Sequence, residues 1–119
     1  MKKRVCLSIL LAGLMSAAFA YTYDTKLPLP GKSIAGAEIQ RATLFSAYAF
    51  AHRIAAQDCT DFSIIDTSVS KEKQDNKWQE IWVIKACERT ANVPINFEIR
   101  DGKLLYGIDP MGVRHEAFK

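Results

Sequence analysis

Residues 78–87 read WQEIWVIKAC. Side chains alternate between the two sides of an extended chain, so Trp78, Glu80, Trp82, Ile84 and Ala86 share one face and Gln79, Ile81, Val83 and Lys85 the other. Aromatic and β-branched residues favour this conformation, and the run ends on a thiol. The same period of two appears in residues 61–69 (DFSIIDTSV), 92–100 (NVPINFEIR) and 103–109 (KLLYGID), giving four expected strands.

Pairing follows from the turns. Asp101-Gly102 is the strongest two-residue hairpin signal, and it sets Arg100 against Lys103, Ile99 against Leu104, Phe97 against Tyr106 and Ile95 against Ile108. A turn over residues 88–92 sets Ala86 against Val93, Ile84 against Ile95 and Trp82 against Phe97. A polar loop over residues 70–77 permits Phe62 against Ile84, Ile64 against Trp82 and Asp61 against Lys85. That last register also brings Cys59 to Cys87. All three put Phe62, Ile64, Trp78, Trp82, Ile84, Val93, Ile95, Phe97, Ile99, Leu104, Tyr106 and Ile108 on one side, and a one-residue slip would send half of them into water. Two residues strain the scheme: Asp66 falls opposite Glu80, a like-charge pair. Pro94 sits in an inner strand, which is tolerable only if the last strand stops near Asp109 and no carbonyl awaits the missing N–H.

Residues 34–57 contain no proline, one glycine and eight alanines, and read as a helix with Ser33 as its N-cap. Ala37, Leu44, Tyr48, Ala51 and Ala55 form a stripe widened by Phe45, Ala47 and Ile54, with Ile39 and Phe50 on the opposite side. The expected fold is therefore α+β: one N-terminal helix packed on a four-stranded antiparallel meander, with one disulfide.

Residues 1–20 (MKKRVCLSILLAGLMSAAFA) have a basic start, an apolar run and an Ala-x-Ala end, the pattern of a cleaved secretory signal peptide. The run is short for a membrane span, which needs about 20 apolar residues, and no later segment is longer. Residues 21–33 (YTYDTKLPLPGKS) read as an extended arm rather than a folded element, and residues 34–119 as a single domain. The chain carries 16 Lys and Arg against 13 Asp and Glu, and Lys2, Lys3 and Arg4 account for the whole excess. A neutral remainder argues against a nucleic-acid or anionic-membrane partner. Cys6 falls in the leader, so Cys59 and Cys87 are the two thiols of an exported chain, which favours a structural bond over a redox pair.

Catalytic motifs are lacking: there is no G-x-S-x-G, no H-E-x-x-H and no phosphate-cradling glycine loop. Ser46 and His52 are six residues apart, off the same helical face, and the two histidines, His52 and His115, do not suffice for a metal site. We expect no catalytic residues, no metal and no cofactor. Recognition falls instead on outer-face Ile65, Ile81, Val83 and Leu105, on Trp78 near a strand end where it would be part exposed, and on Phe50 of the helix.

The run from Glu80 to Cys87, followed by an alternating strand and an Asp-Gly turn, resembles the E-x-W-x-V-x-x-C pattern of small exported or lipoprotein-type bacterial proteins of uncharacterised function. The likeness spans about a quarter of the chain and implies export and a cysteine-bearing strand in a sheet, with Glu88 where those proteins often have glycine. The helix-on-sheet outline is similar to cystatin-like folds, without their Q-x-V-x-G loop. The expected function is a non-catalytic periplasmic or secreted interaction module, an accessory or inhibitor-like protein that binds another protein, with a homodimer left open. The alternative is a small ligand carrier or hydrolase with a pocket between helix and sheet.

Overall fold

The computed structural model describes residues 21–109, without the side chain of Ala55, and the backbone of residues 114–116; the expected leader, residues 1–20 with Cys6, lies outside them. The elements run β1 (Thr22–Tyr23), α1 (Ala37–Ala55), β2 (Asp61–Gln74), β3 (Lys77–Ala86), β4 (Arg89–Arg100), β5 (Lys103–Ile108) and β6 (Arg114–Glu116). The chain is α+β, with α1 on a sheet of order β1-β2-β3-β4-β5 and β6 beside β4. The expected four-stranded, wholly antiparallel meander is corrected: β1 joins β2 in parallel, and β6 adds a further pairing. Tyr23 explains the first addition. Its ring stacks on Phe62 and lies beside Tyr48 and Phe45, so burying it draws the first residues of the arm onto the sheet.

The Asp101-Gly102 hairpin has the expected register throughout, both turn residues at positive φ. The β3–β4 pairing is displaced by four residues. Its turn is Cys87-Glu88, which sets Ala86 against Arg89, Trp82 against Val93 and Trp78 against Phe97. An even displacement leaves every side chain on its expected face. The β2–β3 pairing begins two residues from the expected register, with Phe62 opposite Ala86, and then shifts at three irregularities. The one between Ile64 and Asp66 moves Asp66 opposite Val83 and turns Thr67 inward, so the feared contact of Asp66 with Glu80 does not arise. Residues 70–77 are not a loop either. The strands run on to Gln74 and from Lys77, joined by Asp75-Asn76, two residue types that tolerate the left-handed region they occupy (φ 51° and 62°).

Pro94 stands opposite Ile81 of β3. On the other margin of β4 the described pairing with β5 ends at Ile95 and that with β6 begins at Asn92. Hairpin parity aims the backbone nitrogen of residue 94 at that margin, between the two pairings and away from the β3 ladder.

The core is the face expected to be apolar. Phe62, Trp82, Ile84, Val93, Ile95 and Phe97 are buried against Leu44, Ala47, Tyr48 and Ala51 of α1, while Ile99, Leu104 and Ile108 pack partly at its border. Each fully buried large apolar side chain contributes about 1.5–3 kcal/mol over an exposed one. The helix is rotated from the expected stripe: Ala37, Phe45 and Ile54 are exposed, Gln40 and Thr43 are buried, Ile39 packs on the core and Phe50 is half-buried. The polar groups buried by that rotation all have partners. Gln40 Oε1 accepts from Leu29 N at 2.9 Å, its Nε2 donates to Ala35 O at 3.0 Å, and Thr43 Oγ1 donates to Ile39 O.

Cys59 and Cys87 are bonded, with Cα atoms 6.0 Å apart. The pairing is the expected one. Its geometry differs, because Cys59 precedes β2 and Cys87 occupies the β3–β4 turn at φ 58°, so the bond ties the loop after α1 to that turn rather than crossing a strand ladder.

Candidate functional site

Two parts of the molecule gather polar chemistry, one on each face of the sheet. On the inner face, strand parity sends the two indoles and the carboxylate of Trp78-Gln79-Glu80-Ile81-Trp82 to the same side. Glu80 is fully buried. Its Oε1 accepts from Trp82 Nε1 at 2.9 Å, and its Oε2 accepts from Trp78 Nε1 at 2.9 Å, Ile34 N at 3.1 Å and Ala35 N at 3.2 Å. Four neutral N–H groups thus surround one carboxylate. This corrects the helix start: the amides of Ile34 and Ala35 are held by Glu80, α1 begins at Ala37 with Gly36 as N-cap, and Ser33 Oγ accepts only from Ala35 N. The sequence already put Glu80 on the inner face; its role was missed, although two indole N–H groups flanking a carboxylate on a buried face need an acceptor.

The same cluster removes Trp78 from the recognition surface. It is 5% exposed rather than part exposed, stacked on Phe97 at 5.1 Å between centroids, with Lys73 Nζ 5.1 Å from its ring centroid. Phe50, by contrast, is half-buried, one helical turn beyond Ser46, whose Oγ meets Tyr106 Oη at 2.8 Å.

The arm is anchored at several points. Lys32 N donates to Thr67 O, Thr67 Oγ1 donates to Pro30 O at 2.7 Å and accepts from Ser33 N at 3.0 Å, and Gly31, at φ 101°, lies directly against the Thr67 backbone. Tyr48 Oη donates to Asp24 O at 2.6 Å. Burial pushes the Tyr48 hydroxyl up to about 12, a backbone hydrogen bond at Ile64 opposes this, and the Asp24 charge adds to it. A cavity of about 270 Å³ lies beneath the arm beside Tyr48 and Ile64.

On the outer face, Ile81 pairs with Pro94 on one side and Ser68 on the other, and Val83 lies opposite Asp66, next to the irregularity at Ile65. Ile65 is 45% exposed; Ile81, Val83 and Pro94 are half-buried, and together they make one apolar group. Leu105, 44% exposed, stands apart across from Glu98. Between them an amide row crosses three strands: Ser70 Oγ donates to Gln79 Oε1 at 2.8 Å, and Gln79 Nε2 donates to Asn96 Oδ1 at 2.9 Å. An open groove of about 620 Å³ passes over this row, lined by Lys71, Lys77, Gln79, Asn96, Glu98 and Leu105 and bordered by Trp78, Phe97 and Tyr106. The structure thus places Ile65, Ile81 and Val83 of the expected set on the outer face, puts Leu105 at the groove, buries Trp78 and leaves Phe50 half-buried on α1.

Ser46 is engaged with Tyr106, and His52 Nε2 lies 3.2 Å from Gln57 O with its ring edge on Phe62. Among the described residues no three His, Cys, Asp or Glu converge as metal ligands, and no helix is long and apolar enough to cross a membrane. Comparisons with protein-family models, with curated proteins and with solved structures give no match to this chain.

Proposed function

We propose that this chain is a non-catalytic interaction protein of the periplasm or the extracellular space that binds another protein through the outer face of its sheet. The observation that carries the reading is the contrast between the two faces. The inner face of β2, β3 and β4 is largely covered by α1 and the arm, whereas the outer face presents Ile65, Ile81, Val83 and Pro94 beside a groove floored by hydrogen-bonded amides. Sheets with one solvated face alternate more cleanly than this, and an apolar group rimmed by polar residues suits protein contact. The disulfide and the leader-like residues 1–20 support an oxidising compartment. The carrier or hydrolase alternative needs room between helix and sheet, where Leu44, Ala47, Ala51, Trp82, Ile84 and Val93 are each at most 1% exposed.

The test is recovery of partners from an envelope fraction with the wild-type protein and with Ile81→Asp and Val83→Asp. Loss of a specific partner in both variants, with unchanged circular dichroism, is the expected result. Recovery unchanged by either substitution in folded protein would rule out sheet docking.

A further inference from the structure

The two margins of the sheet are treated differently. The β2 margin is guarded: β1 pairs with its first residues, the arm bonds to Thr67, and beyond that the strand is irregular twice and carries Lys71 and Lys73. Among the described residues the β5 margin has no such protection. Its register with β4 is regular from Ile95↔Ile108 to Arg100↔Lys103, it has neither proline nor bulge, and no strand among the described residues lies on its far side. Two adjacent residues of this strand, Leu105 and Tyr106, are among the exposed large apolar side chains, at 44% and 38%.

Parity decides what the margin offers. Because Arg100 and Lys103 close the hairpin, the backbone groups of Lys103, Leu105 and Gly107 are directed at β4, and those of Leu104, Tyr106 and Ile108 outward. An antiparallel copy of the same strand therefore fits when centred on Tyr106. Leu104 then stands opposite Ile108 and Leu105 opposite Gly107 of the other copy, so the strand is self-complementary, with apolar meeting apolar throughout. A Cβ added at Gly107 would meet no atom within 4 Å, so the space above it is open to receive the opposing Leu105.

We propose that a second copy of this chain docks on the β5 edge, antiparallel about a two-fold axis at Tyr106, joining the two sheets into one. Three outward residues in each copy exchange about six backbone hydrogen bonds. The contact is isologous and closes on itself, giving a dimer rather than a filament. It is distinct from the outer-face docking proposed above, and the two outer faces would lie side by side across the axis.

Sedimentation of the exported protein from about 10 µM to about 1 mM, with amide hydrogen exchange at both ends of that range, tests the proposal. The expected result is a concentration-dependent dimer in which the Leu104, Tyr106 and Ile108 amides exchange more slowly as it forms. Gly107→Lys, which has room in the monomer, is expected to weaken association about tenfold or more while leaving near-ultraviolet circular dichroism unchanged. A monomer throughout the range, a dimer whose three amides stay fast, or a dimer indifferent to Gly107→Lys would each overturn it.

Discussion

Glu80 shows what one residue contributes here. Its two oxygens accept all four hydrogen bonds that join both tryptophans and the start of the helix. Glu80→Gln keeps the shape but replaces one acceptor oxygen by an N–H donor facing other donors. We expect a loss of about 2–4 kcal/mol in urea unfolding followed by tryptophan fluorescence. Tyr48 supplies a pH signature. Its hydroxyl is pushed up to about 12 in the folded chain, whereas an unfolded tyrosine ionises near 10. Between those values the unfolded state holds fewer protons, so its stabilising contribution is complete below about pH 10 and is lost as pH rises toward about 12. Urea midpoints across that interval should fall, and Tyr48→Phe should flatten the decline. The apolar residues of the inner face were legible in sequence because period and burial agree. The partners of Gln40 and Tyr48 and the Ile34 and Ala35 amides on Glu80 were not, since each lies in a segment whose approach depends on the completed fold, whereas the two indoles on Glu80 share its strand and its face.

At the scale of elements, the Asp101-Gly102 hairpin could be read residue by residue because two residues of known conformational preference fix its register. The other two hairpins could be read only to parity. For β3–β4, Thr90 and Ala91 pair as readily as the residues beyond them, and a tight turn at Cys87-Glu88 extends the ladder. For β2–β3, residues 70–77 have no apolar pattern because both their faces meet water, so a hairpin there resembled a loop. The arm resembled a linker for a related reason: its order comes from Tyr23, Gly31 and Glu80 meeting distant partners. Gly31 is the most demanding of these contacts, having positive φ and the Thr67 backbone where a Cβ would stand. Gly31→Ala should therefore cost about 2–4 kcal/mol, from left-handed strain plus overpacking, measured as a lowered thermal midpoint. An unchanged midpoint would mean that the arm can lift away without loss.

For the molecule as a whole, one covalent bond supports a core of modest size. A closed loop of 28 residues in sequence separation corresponds to about 3–4 kcal/mol in the chain-entropy account. Comparing urea unfolding with and without reductant should return a difference of that order, and intact mass under non-reducing conditions should fall two hydrogens short of the thiol form. The Arg89–Asp58 ion pair beside the bond, at 2.9 Å and with Asp58 largely exposed, contributes much less. The site was legible at the level of a face: parity placed Ile65, Ile81 and Val83 together, but did not reveal the depth of Trp78, which is stacked on Phe97 and bonded to Glu80. The position of the sulfur bridge also governs what a protease leaves behind. Lys71, Lys73 and Lys77 are exposed on the far hairpin and lie within the segment that Cys59 and Cys87 enclose. A tryptic cut there yields two polypeptides still joined as one particle, heavier by a single water, which come apart only when the cystine is reduced.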